Sequence, residues 1–466
     1  MRDSPTIGVF GHYGNQNLGD EAITTAVIQR VKDRWPTARV WGFSVNPADT
    51  SERYRVPAFP IRRPAGAGGG GKPDVESGRN VAERDGKPRR HSLFGAVKSA
   101  LKRIPLLRRT IRAAGWLLRS PPELVEELRF LRGSYLRLRH VDLLLISGSN
   151  QFLDNFGGPM GFPYTLLKWS VMAKLAGCKL AFVSVGAGPI DARSSRLMVR
   201  LALLFSDYHS FRDTASRSLI ETIGLRGRGL VYPDLAHGLQ PEVAPLPRST
   251  GTKAERPTVG INPMPMYDSR YWCHTDDNKY RSYVGRLAEV AAALRQDGYP
   301  LFFFATQPKD ENVIHDVLDS LGKTLGGGLD REAMIRRSDS VYGLMQVFTS
   351  ADLIVATRFH GTLLALLAER PVLGVCYYRK TRDLLREMGQ EDYAVDLEDF
   401  TATDVLQRIR RLESNRLAEA EKIRRKNQEY SLALTKQYEQ VFSLLGPTER
   451  HDAGIGDSRS AEAADG

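Results

Sequence analysis

Apolar residues recur along the chain in short runs of strand length, and these runs alternate with segments of helical periodicity. Between two of the runs, Ile23, Ala26, Val27 and Val31 lie at the spacing of one buried helix face. Strands that are apolar throughout and separated by helices indicate parallel sheets covered on both faces. The pattern therefore predicts an α/β fold with two Rossmann-like domains facing across a cleft. The runs predicted as strands are Thr6–Gly11, Arg39–Val45, Val141–Ser147, Lys179–Val185, His209–Phe211, Leu230–Tyr232, Thr258–Asn262, Leu301–Thr306, Asp352–Thr357 and Pro371–Tyr377.

Composition along the chain sets the expected domain boundaries. We predict an N-terminal domain over residues 1–241 and a C-terminal domain over residues 258–446 that ends in a long polar helix near Leu417–Leu445. Residues 242–257 are rich in Pro, Ser, Thr and charge, which is typical of a linker. Residues 447–466 contain almost no large apolar side chain, so we expect a disordered tail.

Positive charge is concentrated in one segment. The 466 residues include 66 Lys and Arg against 54 Asp and Glu, a net charge of +12. Residues 84–119 contain eleven basic residues and one acid, so +10 of that charge lies there. This segment falls within residues 62–140, which we predict to be a basic helical insert in the first domain, partly disordered. The insert lacks the interleaved aromatic residues of a nucleic-acid recognition module, so we expect no nucleic-acid partner.

The insert contains two short stretches of helical amphipathicity. Their apolar positions are Phe94, Val97, Leu101 and Ile104 before Pro105, and Leu107, Ile111, Ala114 and Leu118 after it. Basic residues lie largely between these positions, and Trp116 lies at the apolar edge, as in an interfacial anchor on an anionic membrane surface. The alternative is a helix pair that packs on the first domain and leaves its basic face in water.

Location follows from what the sequence lacks. It shows neither the N-terminus of a secretion signal nor an apolar run of about 18 residues that could span a bilayer. Its three cysteines, Cys178, Cys273 and Cys376, have no short spacing, which argues against a disulfide framework or a cysteine zinc site and fits a reducing compartment. We expect a cytoplasmic protein, peripheral on the inner face of the membrane if the insert is an anchor.

A glycine-containing loop follows the first predicted strand and opens a helix. Its glycines have the spacing of a phosphate loop, but Asp20 and Glu21 stand where Lys and Ser or Thr are needed. Two acids in a first helical turn complement the helix dipole and would repel a phosphate. The loop is therefore either a tight turn with Asp20 as helix cap, or a polar loop in which Asn15, Asn17 and Asp20 contact sugar hydroxyls.

Residues suited to binding an anion directly follow a predicted strand in the second domain. Arg358, Phe359 and His360 come directly after that strand, and a helix is predicted from Thr362. Ligands of open α/β sheets bind beyond the carboxyl ends of strands, and a guanidinium beside a helix N-terminus suits a carboxylate or phosphate. The alternative for His360 is a packed structural histidine.

The first domain repeats this arrangement. Arg212 follows a predicted strand, and Thr214 begins the next helix. We expect Arg212 to face Arg358 across the cleft. The alternative is an ion pair between Arg212 and its neighbour Asp213.

Five motifs in register resemble the polysaccharide pyruvyl transferase family, over residues of about 6 to 390. The motifs are GHYGNQNLGDEAI from Gly11, SVGAGP at Ser184–Pro189, FRD at Phe211–Asp213, YPDLA at Tyr232–Ala236, and RFHG at Arg358–Gly361 followed by RPVLGV at Arg370–Val375. The resemblance implies a fold like that of GT-B glycosyltransferases. It implies transfer of the enolpyruvyl-derived group of phosphoenolpyruvate onto two hydroxyls of a saccharide, often lipid-linked, in exopolysaccharide or cell-surface glycan biosynthesis. The products are a pyruvate ketal and phosphate.

The resemblance also implies residue roles. The family's donor-binding arginines match Arg212 and Arg358, with Phe359 beside them, and its catalytic histidine matches His360. Phosphoenolpyruvate carries about three negative charges, which arginines and a helix N-terminus can bind. A histidine that titrates near neutral pH can deliver a proton to the methylene carbon.

Two further residues are weaker candidates. Lys380 follows a strand of the second domain and is a second phosphate-binding candidate, with a solvated surface lysine as the alternative. Asp154 is expected to contact the acceptor. We expect neither a metal nor another cofactor, because arginines neutralise the charge of phosphoenolpyruvate, which acts as co-substrate.

Two other functions stay open at this point. One is a GT-B glycosyltransferase that uses a nucleotide sugar, and the other is a non-catalytic saccharide-binding protein. The identity of the donor distinguishes the first from a pyruvyl transferase, and phosphate release distinguishes the second.

Overall fold

A computed structural model describes residues 4–63, 121–239, 256–271 and 275–446. The basic segment 84–119, most of the predicted linker and the predicted tail lie outside these residues. The described chain forms two separate β-sheets, and every strand pair in them is parallel. The predicted fold class, α/β with two Rossmann-like sheets, is confirmed.

The first sheet is built from the N-terminal half of the chain. Its strands are β1 (Thr6–Phe10), β2 (Arg39–Ser44), β3 (Ala58–Pro60), β4 (Leu143–Ser147), β5 (Asn150–Phe152), β6 (Lys179–Ala187), β7 (Tyr208–Phe211) and β8 (Leu230–Val231). Its helices are α1 (Leu18–Arg34), α2 (Pro47–Tyr54), α3 (Pro121–Leu138), α4 (Phe162–Leu175), α5 (Arg193–Leu204) and α6 (Thr214–Thr222). The strand order is β3-β2-β1-β4-β6-β7-β8, with β5 paired to the end of β6.

The second sheet has six strands. They are β9 (Val259–Asn262), β10 (Leu301–Phe304), β11 (Ile335–Arg336), β12 (Leu353–Ala356), β13 (Val372–Cys376) and β14 (Ala394–Asp396), in the order β11-β10-β9-β12-β13-β14. The helices are α7 (Asp277–Gln296), α8 (Lys309–Thr324), α9 (Val341–Thr349), α10 (Phe359–Leu367), α11 (Arg379–Glu387) and α12 (Ala402–Phe442).

All ten predicted strands are present, each with bounds within two residues of the prediction. Four strands of only two or three residues, β3, β5, β11 and β14, have no apolar run long enough to predict them. The C-terminal helix begins at Ala402, well before the predicted Leu417, because the Thr401 side chain caps it and Val405 and Ile409 bury an apolar face.

The two sheets share one hydrophobic core. Alternate residues of a strand point to opposite faces. One cluster contains Ile7 and Val9 of the first sheet together with Phe302 and Phe304 of the second, so it fills the space between the sheets. A backbone hydrogen bond of 3.0 Å from the Leu18 N–H to the Thr306 carbonyl also joins the two halves. Helices α1, α9 and α10 contribute to this shared core, so the two halves pack against each other through helices that cover the facing sides of the sheets.

Helix α12 connects both halves. Near its start, Val405, Ile409 and Leu412 pack in the core of the second sheet. Near its end, the buried Gln437 amide donates hydrogen bonds to the hydroxyls of Ser210 (2.7 Å) and Ser184 (3.0 Å) in the first sheet. The helix thereby fixes the orientation of one sheet relative to the other. Within the described part of the chain, we find no helix with the length and apolar character to cross a membrane.

Candidate active site

A cleft of about 1100 Å³ lies where residues following the strands of both sheets meet. The residues that line it include most of the predicted site: Asn17, Asp20, Arg212, Arg358, Phe359, His360 and Lys380. Asn15 and Asp154 are not among the lining residues. The strand-end positions of the two domains thus form one site, as expected for open α/β sheets.

Arg358 is held in one orientation by a buried carboxylate. Its Nε lies 2.6 and 2.8 Å from the two oxygens of Asp310, and its Nη2 lies 2.5 Å from the same carboxylate. Asp310 is fully buried and also accepts hydrogen bonds from the Thr306 N–H (3.1 Å) and hydroxyl (3.2 Å). The amide oxygen of Gln307, turned toward the guanidinium, accepts from Nη2 at 2.6 Å. This side-on geometry makes the guanidinium a rigid fork at the edge of the cleft.

Arg212 is buried but more loosely paired. Its Nη1 lies 3.4 Å from Asp234, and its Nε lies 3.5 Å from Asp213. Both contacts are longer than a good charged hydrogen bond. Asp213 is committed to capping α6, where its Oδ1 accepts from the Ser216 N–H at 2.6 Å. The predicted alternative, an ion pair between Arg212 and Asp213, is therefore present only as a long contact.

Phe359 brings the cations of the two domains together. The Arg212 guanidinium carbon lies 5.0 Å from the centre of the Phe359 ring, and the Lys380 Nζ lies 5.1 Å from it. Burial, followed by the charge of Arg212, lowers the pKa of Lys380 to about 8. Lys380 therefore lies in the cleft and is not the solvated surface lysine of the alternative interpretation.

His360 lies in the first turn of α10, which begins at Phe359 and not at the predicted Thr362. Its Nε2 is buried and has no hydrogen-bond partner among the described residues. Burial lowers the pKa of His360 to about 3; the charge of Asp234 opposes this, and Lys380, Arg212 and Arg358 add to it. The imidazole is thus neutral at pH 7 in the protein alone, which differs from the predicted titration near neutral pH.

Two helix N-termini point to the same part of the cleft. Helices α10 and α11 follow the neighbouring parallel strands β12 and β13, and neither has a hydrogen bond from a capping side chain. The N–H groups of a first helical turn bind anions when no side chain caps them. Arg358 precedes one of these helices, and Lys380 lies in the first turn of the other. Among the described residues, no three His, Cys, Asp or Glu side chains are placed to hold a metal ion.

The glycine loop of the first domain has a different cap from the one predicted. Asn17 caps α1, since its Oδ1 accepts from the Gly19 N–H at 3.3 Å, and its amide donates to Asp20 at 2.8 Å. Asp20 is therefore a first-turn residue and not the helix cap. Glu21 is fully buried and accepts from the Gly14 N–H at 2.8 Å, which shapes the loop. Asn15 is exposed outside the cleft.

Asp154 lies behind the cleft wall. Its carboxylate accepts hydrogen bonds from the N–H groups of Ala192 (2.9 Å) and Asp191 (3.1 Å) at the start of α5. Burial raises the pKa of Asp154, but these hydrogen bonds outweigh it and hold the pKa below its usual value. Its neighbours Leu153 and Asn155 line the cleft instead. This geometry gives Asp154 a structural role, in contrast to the predicted contact with the acceptor.

Three groups were not predicted as site residues: Asp234 and His237, which line the cleft, and Asp310, which is buried behind Arg358. Asp310 has no sequence signal, because it is 48 residues before the arginine that it pairs with. Asp234 could have been found, because it lies in the YPDLA motif and ends up beside Arg212. His237, three residues later, is buried with its ring 4.9 Å from Tyr430, and only the fold brings it to the cleft.

Structural comparison shows that the whole chain has a known type of fold. It resembles S. aureus MnaA, solved with UDP, with a TM-score of 0.51, 11% identity, and coverage of 95% of this chain and 97% of that chain. It also resembles a glycosyltransferase from Rickettsia africae, with a TM-score of 0.51, 10% identity, and coverage of 96% and 100%. At this level of identity the likeness concerns the fold alone, which is GT-B-like.

Sequence comparison identifies the family. No curated protein matches the chain. The family model for polysaccharide pyruvyl transferase matches residues 17–378, which include the α1 N-terminus, Arg212 and the Arg358–His360 segment. The match covers most of the chain, so this protein belongs to the polysaccharide pyruvyl transferase family.

Proposed function

We propose that this protein transfers the enolpyruvyl-derived group of phosphoenolpyruvate onto two hydroxyls of a saccharide. The observation that supports it best is the cluster of Arg212, Arg358 and Lys380 around His360, beside two helix N-termini without side-chain caps. A small ligand with a carboxylate and a phosphate meets all of these groups at once. The fixed fork of Arg358 suits bidentate binding of either anionic group.

The reaction needs one proton delivered to carbon and two hydroxyl additions. His360 donates a proton to C3 of the donor, so that C2 becomes electrophilic and a saccharide hydroxyl adds to it. The bond between C2 and the phosphate oxygen then breaks, phosphate leaves, and the second hydroxyl adds to C2 to close the ketal. The two saccharide hydroxyls each lose a proton. One of these protons restores the protonated His360, and the other is taken up by phosphate. Arg212 and Lys380 stabilise the departing phosphate.

Donor binding prepares His360 for this step. Burial is the main cause that lowers the pKa of the imidazole in the protein alone, and three nearby cations lower it further. A bound trianion compensates their charge and favours the imidazolium. His360 therefore takes up its proton together with the donor, and the acid forms only where its substrate is present.

The acceptor is proposed to lie against the first-domain wall. His12 and Phe162 lie 5.2 Å apart there as a tilted ring pair, and Asn150 and Asn155 line the same wall. Aromatic faces and amide groups are the usual partners of sugar rings and hydroxyls. We place the reaction in exopolysaccharide or cell-surface glycan biosynthesis, with a lipid-linked saccharide as acceptor.

Association with an anionic membrane surface follows from the same proposal. Helix α3 comes directly after the basic segment 84–119 and exposes Leu124, Val125 and Leu128, with 53, 44 and 55% of their surface accessible. An exposed apolar patch beside a strongly basic segment is typical of an interfacial surface. Such a surface would bring the cleft close to a lipid-linked acceptor at the inner face of the membrane.

Calorimetric titration with phosphoenolpyruvate, and separately with UDP and UDP-sugars, tests the donor. We expect saturable binding of phosphoenolpyruvate and release of inorganic phosphate when saccharide acceptors are added. A ketal on the acceptor adds the mass of pyruvic acid less one water, which mass spectrometry resolves. Binding of UDP without phosphoenolpyruvate binding would favour a nucleotide-sugar glycosyltransferase. Saccharide binding without turnover of either donor would favour a non-catalytic protein.

A further inference from the structure

We propose that Gly19, in the first turn of α1, is a positioning residue for His360, which belongs to the other domain. The proposal deepens the proposed function and rests on it, because it assigns to the N-L-G-D segment a role in aligning the proton donor. Its basis is a close approach between the two domains that leaves no room for a side chain at Gly19.

The contact at Gly19 is steric. A Cβ atom built on Gly19 would lie 2.0 Å from Cγ, 2.1 Å from Nδ1 and 2.4 Å from Cβ of His360. Rotation about the side-chain torsions can move the ring away, but it leaves the His360 Cβ in place. A side chain at position 19 would therefore displace the first turn of α10 as well as the imidazole. Gly19 does not have a positive φ, so its backbone conformation alone does not require glycine.

The residues on either side of Gly19 also face donor-binding groups. The Leu18 N–H donates to the Thr306 carbonyl at 3.0 Å, and Thr306 donates through its own N–H and hydroxyl to Asp310. Asp310 in turn holds Arg358. Asp20 lines the cleft together with Lys380. Three consecutive residues of α1 are thus next to donor-binding groups. Leu18 contacts the segment that holds Arg358, Gly19 packs against His360, and Asp20 lines the cleft with Lys380.

Contact with the second domain accounts for the shape of the glycine loop better than the predicted contact with sugar hydroxyls does. The turn is shaped from within by Glu21 and capped by Asn17. Its outer surface fits the second domain at Leu18 and Gly19, where the imidazole packs directly on the helix backbone. A backbone surface is stiffer than a side chain, so it can hold a proton donor within the small tolerance that catalysis requires.

The test compares Gly19→Ala with Gly285→Ala. Gly285 lies in α7 with open space around its would-be Cβ, so it controls for a helical glycine-to-alanine change. We expect Gly19→Ala to lower kcat about 100-fold or more, while phosphoenolpyruvate affinity changes much less, and Gly285→Ala to leave both unchanged. A Gly19→Ala enzyme with wild-type kcat would overturn the proposal, provided that His360→Ala is inactive. If His360→Ala is itself fully active, the proposed function fails first.

A double-mutant cycle covers the case in which Gly19→Ala folds poorly. His360→Gly removes every His360 atom that the new methyl group would meet. We expect Gly19→Ala to lower the thermal unfolding midpoint in the wild-type background and to leave it unchanged in the His360→Gly background. An equal loss in both backgrounds would show that the clash is not with His360 and would refute the proposal.

Discussion

In the proposed function, the chemistry depends on His360, which burial and its charged neighbours keep neutral in the protein alone. The Nε2 atom of His360 is buried without a partner among the described residues, and Arg212, Arg358 and Lys380 surround it. A protonated His360 is unfavourable there until an anion arrives. The same three cations bind that anion in the proposed function. In that proposal, donor recognition and activation of the acid therefore both depend on the same three charges.

Replacement of His360 separates chemistry from binding. We expect His360→Ala to retain phosphoenolpyruvate binding and to lose kcat by 10²–10⁴-fold, the usual effect of removing a general acid. Rapid-quench measurement of phosphate release, together with calorimetry for donor affinity, provides both numbers. The exposed His140 serves as control, since His140→Ala should change neither. A His360→Ala enzyme with normal turnover would assign His360 a structural role.

Replacement of either arginine should weaken donor binding, but for different physical reasons. Arg358→Lys keeps the charge but loses the planar fork that Asp310 orients, so donor affinity should fall at least tenfold. Arg212→Ala should weaken donor binding from the other domain. Arg217→Lys, on the exposed side of α6, is the matched control. If only Arg358 matters, the donor does not bridge the domains, and unchanged affinity in both variants would place it elsewhere.

The sequence identifies those site residues that directly follow a predicted strand. Arg358 and His360 follow a clear strand, and Lys380 follows the next one. Asp310 and Gly19 could not be assigned, because their roles come from contacts over 48 residues and between domains. The low pKa of His360 in the protein alone could not be predicted for the same reason, since its burial and its charged neighbours depend on both halves of the molecule.

At the level of elements, apolar runs predict strands well because a buried parallel strand is apolar on both faces. Helix starts are less certain. The α10 start differs from the prediction by one turn, and Asn17 takes the cap position of α1 because its short side chain reaches the Gly19 N–H. The short edge strands β11 and β14 are defined by pairing with their neighbours and carry little pattern of their own.

The short helix Leu235–Gly238 makes stability depend on pH. Burial lowers the pKa of His237 to about 4, against 6.5 for an ordinary histidine. Between pH 6.5 and about 4, His237 is therefore protonated in the unfolded chain but not in the folded protein. The free energy of unfolding falls as pH decreases through this range. At pH 5 the loss from this one group is about 2 kcal/mol.

Urea unfolding at pH 7 and pH 5 measures this loss. His237→Phe keeps a ring against Tyr430 and removes the titrating group. The variant should lose less stability than the wild type between the two pH values, by about 2 kcal/mol. The exposed His140→Gln should behave like the wild type. Identical pH dependence in His237→Phe and wild type would mean that His237 is not the group responsible.

At the scale of the whole molecule, the core between the sheets and helix α12 hold the two halves in one arrangement. The fold alone is shared with proteins of other activities, so it does not decide the donor. In the proposed function, a few residues at strand ends determine which donor binds. Helix α3, with its exposed apolar side chains, directly follows the basic segment in the sequence, and that position leads to a prediction about where the protein works.

We predict salt-sensitive binding to anionic liposomes through residues 84–119. Each basic residue near an anionic surface contributes about 1 kcal/mol, so several of the eleven in this segment are enough for measurable binding. Deletion of residues 84–119 should abolish sedimentation with phosphatidylserine vesicles and spare activity on a soluble acceptor fragment. Leu124→Ser combined with Leu128→Ser, in the full chain, should weaken binding without changing its salt dependence, because only apolar area is lost. Neutral phosphatidylcholine vesicles are the control. Binding that persists in the deletion, or no binding of the wild type at low salt, would assign the basic segment to packing on the first domain instead.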